Sequence, residues 1–314
     1  MPAKDNPISG LLIIDKPKGL TSHDVVNRVR RLSGQRKVGH TGTLDPMATG
    51  VLLICLGQAT RLIEYLMTGR KQYRATIRFG VTTDTLDAEG KIITQSDASM
   101  LTETDLKQIL PNFVGEIKQY PPLFSALKKN GQPLYKLARA GETVEVDPRW
   151  VTIYSLTWCS WQPPDLTLDI VCSEGTYIRS LARDIGQMAG PGACLVELTR
   201  TANAGWSLDQ AVSLETLEHA AQPDQTGWQK YLYPPDQAIS HLPKVVLDEV
   251  AISHIRYGRQ IKIEPSTIEP SAAGADFLRA YIPGGEFLAI LTLADPIENI
   301  WQPKKVFQTK MVDG

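Results

Sequence analysis

Residues Gly39–Gly50 read GHTGTLDPMATG, in which one acid, Asp45, stands among three glycines, three threonines and a proline. An aspartate followed by a proline is a common helix start, because the carboxylate accepts hydrogen bonds from free N–H groups and proline supplies the first-turn φ. That interpretation explains neither the glycines nor His40. Glycines at this density indicate unusual φ/ψ angles or a close approach of the backbone to a ligand. Two interpretations of Asp45 therefore stay open, a helix cap and a reactive carboxylate.

The composition is that of an ordinary globular protein, with 42% hydrophobic and 21% charged residues among 314. The longest apolar run, residues 50–57, is far too short to span a bilayer, and the first ten residues lack the apolar core of a secretory signal. The four cysteines lie far apart without a C-x-x-C pair, which argues against a zinc site and a disulfide framework. We therefore expect a cytoplasmic protein with neither membrane nor metal binding.

Charge is segregated along the chain although the formal net charge is −1. Residues 16–40 hold seven cations and one acid, a net of +6, and residues 117–140 hold five cations and no acid, a net of +5. Residues 207–250 hold seven acids and two lysines, a net of −5. Such segregation indicates either a phosphate-binding face with an acidic far side or two solvated surfaces without a partner. On composition alone both alternatives stay open.

Hydrophobic periodicity predicts alternating strands and helices in the first part of the chain. A strand over 11–14 is followed by a predicted helix that Ser22 caps and Gly34 ends. Residues 51–66 are predicted to form a buried strand through Leu56 and then a helix. These elements flank the glycine-rich stretch on both sides.

Clear alternation identifies the next strand, residues 71–80, with Tyr73 on its apolar face. Residues 81–90 are interpreted as a polar turn. Residues 166–190 are predicted to form a strand, a glycine turn and a helix. After a proline-rich stretch that suggests a boundary near residue 240, short strand-like runs predict a small β-rich module.

Few residues outside the glycine-rich stretch have the character of a reactive site. The chain lacks the phosphate-cradling and dinucleotide glycine motifs, the G-x-S-x-G elbow and any histidine pair with metal-ligand spacing. The remaining candidates are Asp45, Tyr73, and Tyr177 with Arg179 beyond a glycine turn. Each tyrosine has a structural alternative, core packing or a surface hydrogen bond. The structural alternative for Arg179 is that its side chain covers the core or pairs with Asp184.

The chain contains the motifs IIDKPKGLTSHDVV and GHTGTLDPMATGVLLICLGQATR. In these motifs it closely resembles the TruB family of tRNA pseudouridine synthases, which act on uridine-55 in the T-loop. Further matches follow in order: YRATIRFGVTTDTLDAEG, QYPPLFSALKKNGQPLYKLARAGE, CSEGTYIRSLARDIG and ELTRTANAGWSL. Together they cover most of residues 10–210. Phe124 departs from the family, which often has tyrosine there, and Lys136 replaces a common glutamate.

The resemblance implies an α+β pseudouridine synthase fold, in which helices flank a mixed, largely antiparallel central sheet. It implies a catalytic domain over residues 1–240, with an inserted RNA-contacting segment at about 119–150. Residues 241–314 resemble more weakly a small PUA-like β domain. The implied partner is tRNA, bound through its T-arm stem-loop. No cofactor and no obligatory protein partner are implied, and we expect a monomer.

The resemblance also implies roles for individual residues. Asp45 matches the catalytic carboxylate, Arg179 the cation beside it, and Tyr73 the ring that stacks on the target base and helps to remove its C5 proton. An aspartate is already ionised at neutral pH, so it needs no adjacent base. The implied substrate-binding residues are His40, Tyr177, Leu198 and Lys16. The alternative function is an RNA-binding or tRNA-folding chaperone on the same scaffold without essential turnover.

Overall fold

The computed structural model describes residues 8–125, 127–129, 131–140, 144, 146–222, 226–269 and 275–307, without the side chains of Lys128, Pro133, Tyr135 and Arg139. Its helices are α1 (Ser22–Ser33), α2 (Ile63–Met67), α3 (Glu103–Ile109), α4 (Leu134–Arg139), α5 (Ile178–Ala189), α6 (Leu214–Ala220) and α7 (Glu249–Arg256). The strands are β1 (Gly10–Lys16), β2 (Val38–His40), β3 (Thr49–Leu56), β4 (Lys71–Phe79), β5 (Val81–Thr83), β6 (Ile92–Gln95), β7 (Gly115–Gln119), β8 (Lys128–Lys129), β9 (Gln132–Pro133), β10 (Arg149–Gln162), β11 (Asp165–Cys172), β12 (Ala193–Asn203), β13 (Trp206–Ser207), β14 (Val212–Ser213), β15 (Lys244–Val246), β16 (Ile261–Lys262), β17 (Phe277–Tyr281), β18 (Phe287–Asp295) and β19 (Ile300–Val306).

Helix α1 begins one residue earlier than its predicted cap allows. The cap is Thr21, whose hydroxyl accepts the Asp24 N–H at 3.1 Å while the Asp24 carboxylate accepts the Thr21 N–H at 2.9 Å. The prediction that Ser22 caps the helix was wrong, because the Ser22 hydroxyl points inward and bonds the Leu44 backbone. The helix ends as predicted at Gly34, which adopts a φ of 67°.

The segment 51–66 forms its strand as predicted, but its helix begins later and is shorter than predicted. Strand β3 ends at Leu56, and residues 57–62 then form a 3-10 turn before the short α2. The turn begins at Gly57, whose φ is +58° and whose missing side chain leaves room for the backbone of Ile8. The tight turn delays the helix by six residues.

A ten-stranded sheet forms the centre of the molecule, with the order β14-β1-β3-β12-β4-β11-β10-β7, β2 beside β3 and β13 beside β12. The β1–β14 and β3–β12 pairs are parallel and the other pairs are antiparallel. Helices α1, α3 and α5 contribute apolar side chains to the core on one face of this sheet. The expected mixed, largely antiparallel sheet with flanking helices is confirmed.

Strand β4 shows how the sequence positions the site. Its buried residues alternate with exposed or half-buried ones along its full length, as predicted. The apolar face carries Tyr73, and the opposite face carries Arg74 and Arg78, which pair with Asp169 and Asp165 on β11. The strand therefore delivers Tyr73 to the side of the sheet that α5 covers.

The C-terminal residues form a second, five-stranded sheet with the order β15-β17-β18-β19-β16. Its own core includes Leu278, Leu288 and Trp301. This confirms a small β-rich module after the central sheet. The division of the chain into 1–240 and 241–314 remains a prediction.

A hydrophobic cluster connects the two sheets. It contains Leu11 and Leu53 from β1 and β3, Leu62 beside α2, and Ile290 and Phe307 from the C-terminal sheet and its end. Because β1 and β3 lie beside the glycine-rich loop, the C-terminal module packs behind the same part of the sheet that carries this loop.

Candidate active site

Asp45 lies in an ordered loop between β2 and β3, not at a helix start. The Ala48 N–H bonds the Asp45 carbonyl at 3.1 Å, so a turn follows the aspartate, and no helix forms between these strands. The helix-cap interpretation was therefore wrong. The preceding residue, Leu44, is fixed by two hydrogen bonds with the Ser22 hydroxyl, at 2.8 Å and 3.2 Å. The loop can thus hold one carboxylate in a defined position.

Arg179 on α5 forms an ion pair with Asp45. Its Nε lies 2.9 Å from Oδ2, and its Nη2 donates to Oδ1 at 3.1 Å. The arginine is 4% exposed, so its charge requires such partners. Its backbone partners are the carbonyls of Thr85 and Phe124, both at 2.9 Å. Neither predicted alternative for Arg179 occurs, since Asp184 pairs with Arg183 instead.

A second carboxylate, Asp87, holds Arg179 from the other side. Its Oδ2 lies 3.3 Å from Nη1, and its Oδ1 accepts the Thr85 hydroxyl at 2.6 Å. Asp87 was missed by the sequence interpretation, which assigned residues 81–90 to a polar turn. A single sequence offers no signal that this aspartate meets Arg179, which lies 92 residues away along the chain.

The environment of Asp45 opposes its ionisation in part. Burial raises the pKa of the Asp45 carboxyl, and the Arg179 charge pulls the pKa down again. Asp87 raises the pKa further because it is a like charge nearby. The side chain remains 33% exposed, which leaves it accessible to a ligand. The arrangement yields a reachable carboxylate in a poorly solvated place.

A cavity of about 490 Å³ opens in front of Asp45. It brings together four of the other residues predicted for the site, Tyr73, Tyr177, Arg179 and Leu198. Leu198 on β12 is paired with Ala75 of β4, so Tyr73 and Leu198 come from adjacent strands. Tyr73 is only 7% exposed. Burial raises the pKa of its phenol, so the hydroxyl stays protonated at neutral pH.

Tyr177 is positioned through its backbone at the start of α5. The buried Gln119 at the end of β7 accepts the Tyr177 N–H at 2.8 Å and donates to the Tyr177 carbonyl at 3.1 Å. Its ring lies 5.7 Å from the guanidinium of Arg149. Two strands of the central sheet thus hold this side chain at the cavity.

His40 and Lys16 do not line this cavity. The Nδ1 of His40 accepts the Gly42 N–H at 3.2 Å, and burial lowers the pKa of the imidazole, so its neutral form is favoured. The Lys16 ammonium is fully buried and bonds the carbonyls of Pro17 and Leu20 at 2.9 and 2.7 Å. Burial lowers the pKa of Lys16 to about 8. This geometry favours a role in holding the loop for Lys16 over direct contact with a substrate.

Arg200 on β12 is a further residue that the sequence interpretation missed. It is fully buried and lines the cavity. Its Nε donates to the Val51 carbonyl at 2.7 Å, and its Nη2 donates to the Gly42 carbonyl at 3.2 Å. Its strand, ACLVELTRTAN, mixes apolar and polar residues, so the sequence alone does not mark this arginine as buried.

Part of the predicted RNA-contacting segment falls outside the described residues. Residues 126, 130, 141–143 and 145 are not described, nor are the side chains of Lys128, Tyr135 and Arg139, so two of the five cations of its predicted basic track lie outside the described residues. The described beginning of the segment belongs to the site, because Ser125 lines the cavity beside the Phe124 carbonyl that Arg179 binds.

Other features of the described chain compete weakly with this site. A larger cavity of about 650 Å³ lies beside α7, but its ionisable lining residues are all exposed. Among the described side chains, no group of three or more His, Cys, Asp or Glu residues could hold a metal ion. No helix of the described ranges has the length and apolarity to cross a membrane.

Comparison with known families supports the resemblance found in the sequence. Residues 30–178 match the family model of the TruB family pseudouridylate synthase N-terminal domain. Residues 179–240 match the tRNA pseudouridylate synthase B C-terminal domain. The two matches are contiguous and include the predicted site residues except Lys16.

Curated relatives are similar over nearly their whole length. The chain is 43% identical over 289 residues to tRNA pseudouridine synthase B of Pseudomonas aeruginosa (strain UCBPP-PA14), covering 92% of this chain and 93% of that protein. It is 45% identical over 251 residues to the protein of the same name from Syntrophotalea carbinolica (strain DSM 2380 / NBRC 103641 / GraBd1), covering 80% and 81%.

Solved structures share the fold at lower identity. A Cbf5-Nop10-Gar1 complex contains a chain with a TM-score of 0.72 and 26% identity, covering 95% of this chain and 85% of that one. An H/ACA RNP bound to a substrate RNA containing 2′-deoxyuridine contains another, with a TM-score of 0.70 and 23% identity, covering 96% and 85%. Both likenesses extend through the central sheet and the C-terminal module.

Proposed function

Because the chain belongs to the TruB family of pseudouridine synthases, we propose that it isomerises uridine-55 in the T-loop of tRNA to pseudouridine. The chain has the pseudouridine synthase fold with a PUA-like C-terminal module. The observation that carries the proposal is the contact between Asp45 and Arg179 at a cavity lined by Tyr73.

The reaction breaks the N1–C1′ bond of the uridine, turns the uracil and forms a C5–C1′ bond, after which C5 loses its proton and N1 takes one up. In the proposal the Asp45 carboxylate is the nucleophile that divides this exchange into easier steps. Arg179 keeps that carboxylate ionised and oriented in its poorly solvated position. Tyr73 stacks on the uracil and lies near C5 when the proton leaves.

The cavity requires a uridine that has left its stack. Flipping a base costs a few kcal/mol, which stacking and edge hydrogen bonds in the pocket offset. Tyr73, Tyr177 and Leu198 offer two rings and an apolar side chain for this purpose. A nucleotide that fills the cavity would exclude water, which would otherwise hydrolyse an opened sugar.

The proposed partner is the T-arm stem-loop of tRNA, with phosphates along the basic residues 16–40 and 117–140. The proposal includes a cytoplasmic enzyme that acts as a monomer, without a cofactor or an obligatory protein partner. The catalytic unit comprises residues 1–240 and the C-terminal unit residues 241–314.

Tritium release from C5-labelled uridine in an isolated T-arm stem-loop tests the proposal. The wild-type chain should release tritium, and Asp45→Asn should lose about 10³-fold or more of that rate. Asp209→Asn, an exposed aspartate, is the matched control and should keep it. Circular dichroism verifies that both variants are folded. Tight RNA binding by the wild type without tritium release would support the chaperone alternative instead.

A further inference from the structure

Two buried cations, Lys71 and Arg200, lie next to each other at the cavity, and neither has a carboxylate partner among the described residues. Arg200 is fully buried and Lys71 is 8% exposed. Both adjoin Gly42, where a β-carbon would lie 3.7 Å from Arg200 Nη1 and 3.9 Å from Lys71 Cε. In the ranges that the structure describes, no acid lies within ion-pair distance of either cation. Arg179, by contrast, has two carboxylate partners.

The hydrogen bonds of these two cations all go to neutral groups. Arg200 donates to the carbonyls of Val51, Gly42 and Thr43. The Lys71 ammonium donates to the Met67 carbonyl at 3.2 Å, which uses one of its three N–H donors. Burial, and then the neighbouring Arg200 charge, lower the pKa of Lys71. Two adjacent desolvated cations are costly unless an anion joins them.

The cavity itself supplies too little negative charge. Its lining contains the cations Lys71, Arg179 and Arg200 against the carboxylates Asp45 and Glu174. Asp45 is already paired with Arg179, and Glu174 lies beyond ion-pair distance of Lys71. Asp87 also pairs with Arg179, so the cations that lack an anionic partner are Lys71 and Arg200, and a bound anion would supply one.

From this geometry we infer a phosphate-binding subsite formed by Lys71 and Arg200 beside Gly42. It takes a phosphodiester next to the target uridine, since a neutral uracil and its sugar offer no anion. The absence of a side chain at Gly42 lets a phosphate oxygen approach both cations. The inference rests on the proposed function, because it names how the same pocket holds its nucleotide.

The subsite acts by anchoring the sugar-phosphate backbone. Phosphate contacts fix register and carry no base information. An anchored phosphate prevents the flipped nucleotide from shifting when its glycosidic bond opens. Lys71 and Arg200 are thus binding and positioning residues, and Asp45 remains the reactive group.

Stem-loops with one neutral methylphosphonate linkage, placed either 5′ or 3′ of the target uridine, test the subsite. One of these substrates should lower kcat/KM of the wild type by a factor of about 10 to 100, the size expected for a hydrogen bond between charged groups. Lys71→Met should show a similar loss on the unmodified stem-loop and no further loss on that neutral substrate. Lys71→Arg, which keeps the charge, should retain most of the activity on the unmodified RNA.

The outcomes separate the subsite from the proposed function. If the wild type releases no tritium from the unmodified stem-loop, the proposed function itself fails. If tritium is released, two results would overturn the subsite. In the first, the wild-type enzyme has the same kcat/KM on both methylphosphonate substrates as on the unmodified stem-loop. In the second, Lys71→Met loses as much again on the neutral substrate as the wild type does, so that the two losses multiply. Lys107→Met, at an exposed lysine paired with Glu103 on α3, should behave as wild type on every substrate.

Discussion

Arg179 forms ion pairs with both carboxylates of the site, Asp45 at the cavity and Asp87 on the buried side. Asp87→Asn keeps the shape of the side chain but leaves Arg179 with one ion partner. Losing one partner of a buried ion pair costs about 3–5 kcal/mol. Because Asp87 does not line the cavity, we expect kcat to fall about 10- to 100-fold with a smaller change in KM. Steady-state tritium-release kinetics measure both constants.

The control for this substitution is Asp169→Asn, which removes the acid from an exposed ion pair with Arg74. Exposed pairs contribute about 0–1 kcal/mol, so stability and activity should stay near wild type. A wild-type kcat in Asp87→Asn, measured in a folded sample, would contradict the positioning role of Asp87.

The pKa of Asp45 predicts where activity fails at low pH. Burial is the main cause that raises this pKa from its ordinary value of 3.8. A raised pKa means that the carboxylate takes up its proton at a higher pH than a free aspartate does, and the proposed mechanism requires the ionised form. The acid limb of kcat/KM, which reports the ionisations of the free enzyme, should therefore lie above pH 3.8. Single-turnover rates with subsaturating enzyme, measured across pH, give the position of this limb, and circular dichroism at each pH verifies that the protein is folded. A rate that stays constant down to about pH 4 would contradict the prediction of a raised pKa.

The two residues in contact at the centre of the site, Asp45 and Arg179, could be predicted because the resemblance implies a role for each. Asp87 and Arg200 also lie in matched motifs, but no role was predicted for either. An aspartate in a polar turn is ordinary, and its partner lies far along the chain. Arg200 looks like a surface residue until strand pairing places it next to Tyr73. Long-range contacts of this kind follow from sheet register, which local periodicity does not specify.

Among the elements, the contact between β3 and β12 depends on Gly50. Its φ is +97°, and a β-carbon would lie inside the backbone of Arg200. Gly50→Ala should therefore destabilise the protein by about 2 kcal/mol or more, through strain and backbone displacement. Gly34→Ala is a matched control, since Gly34 also has a positive φ but open space around it. Its cost should be about 1 kcal/mol.

Urea denaturation of the two variants compares these costs directly. Equal losses in Gly50→Ala and Gly34→Ala would show that the close approach to Arg200 contributes nothing beyond the backbone angle. A larger loss at Gly50 should be accompanied by reduced activity, because β12 carries both Leu198 and Arg200 to the cavity.

Elements with clear periodicity could be predicted from the sequence, and irregular ones could not. The alternation in residues 71–80 identified β4, and Gly34 identified the end of α1. The turn after β3 could not be predicted, because its 3-10 geometry depends on the packing of Gly57 against Ile8. The start of α1 was missed by one residue because Thr21 and Ser22 are both good caps, and tertiary contact with Leu44 decides between them.

At the scale of the whole molecule, the two sheets are joined next to the cavity wall. Arg61 lies with its guanidinium 5.1 Å from the Phe307 ring centre, and Lys305 forms an ion pair with Glu64 on α2. The end of α2 contributes Met67 to the cavity. The position of a β-rich module could be predicted from the sequence, but its packing against α2 could not, because no local pattern encodes contacts between distant surfaces.

Phe307→Ala tests whether this junction stabilises the chain as one unit. Phe307 is 5% exposed and packs 4.8 Å from the Phe287 ring centre. Truncating a buried phenylalanine costs about 3–5 kcal/mol, so the urea midpoint should fall. Because the shared cluster contains side chains of both sheets, tryptophan fluorescence and far-UV circular dichroism should shift together. Tyr257→Ala, at an exposed aromatic residue of the same module, should leave the midpoint unchanged. If the urea midpoints from fluorescence and from circular dichroism differ in Phe307→Ala, the two sheets unfold independently.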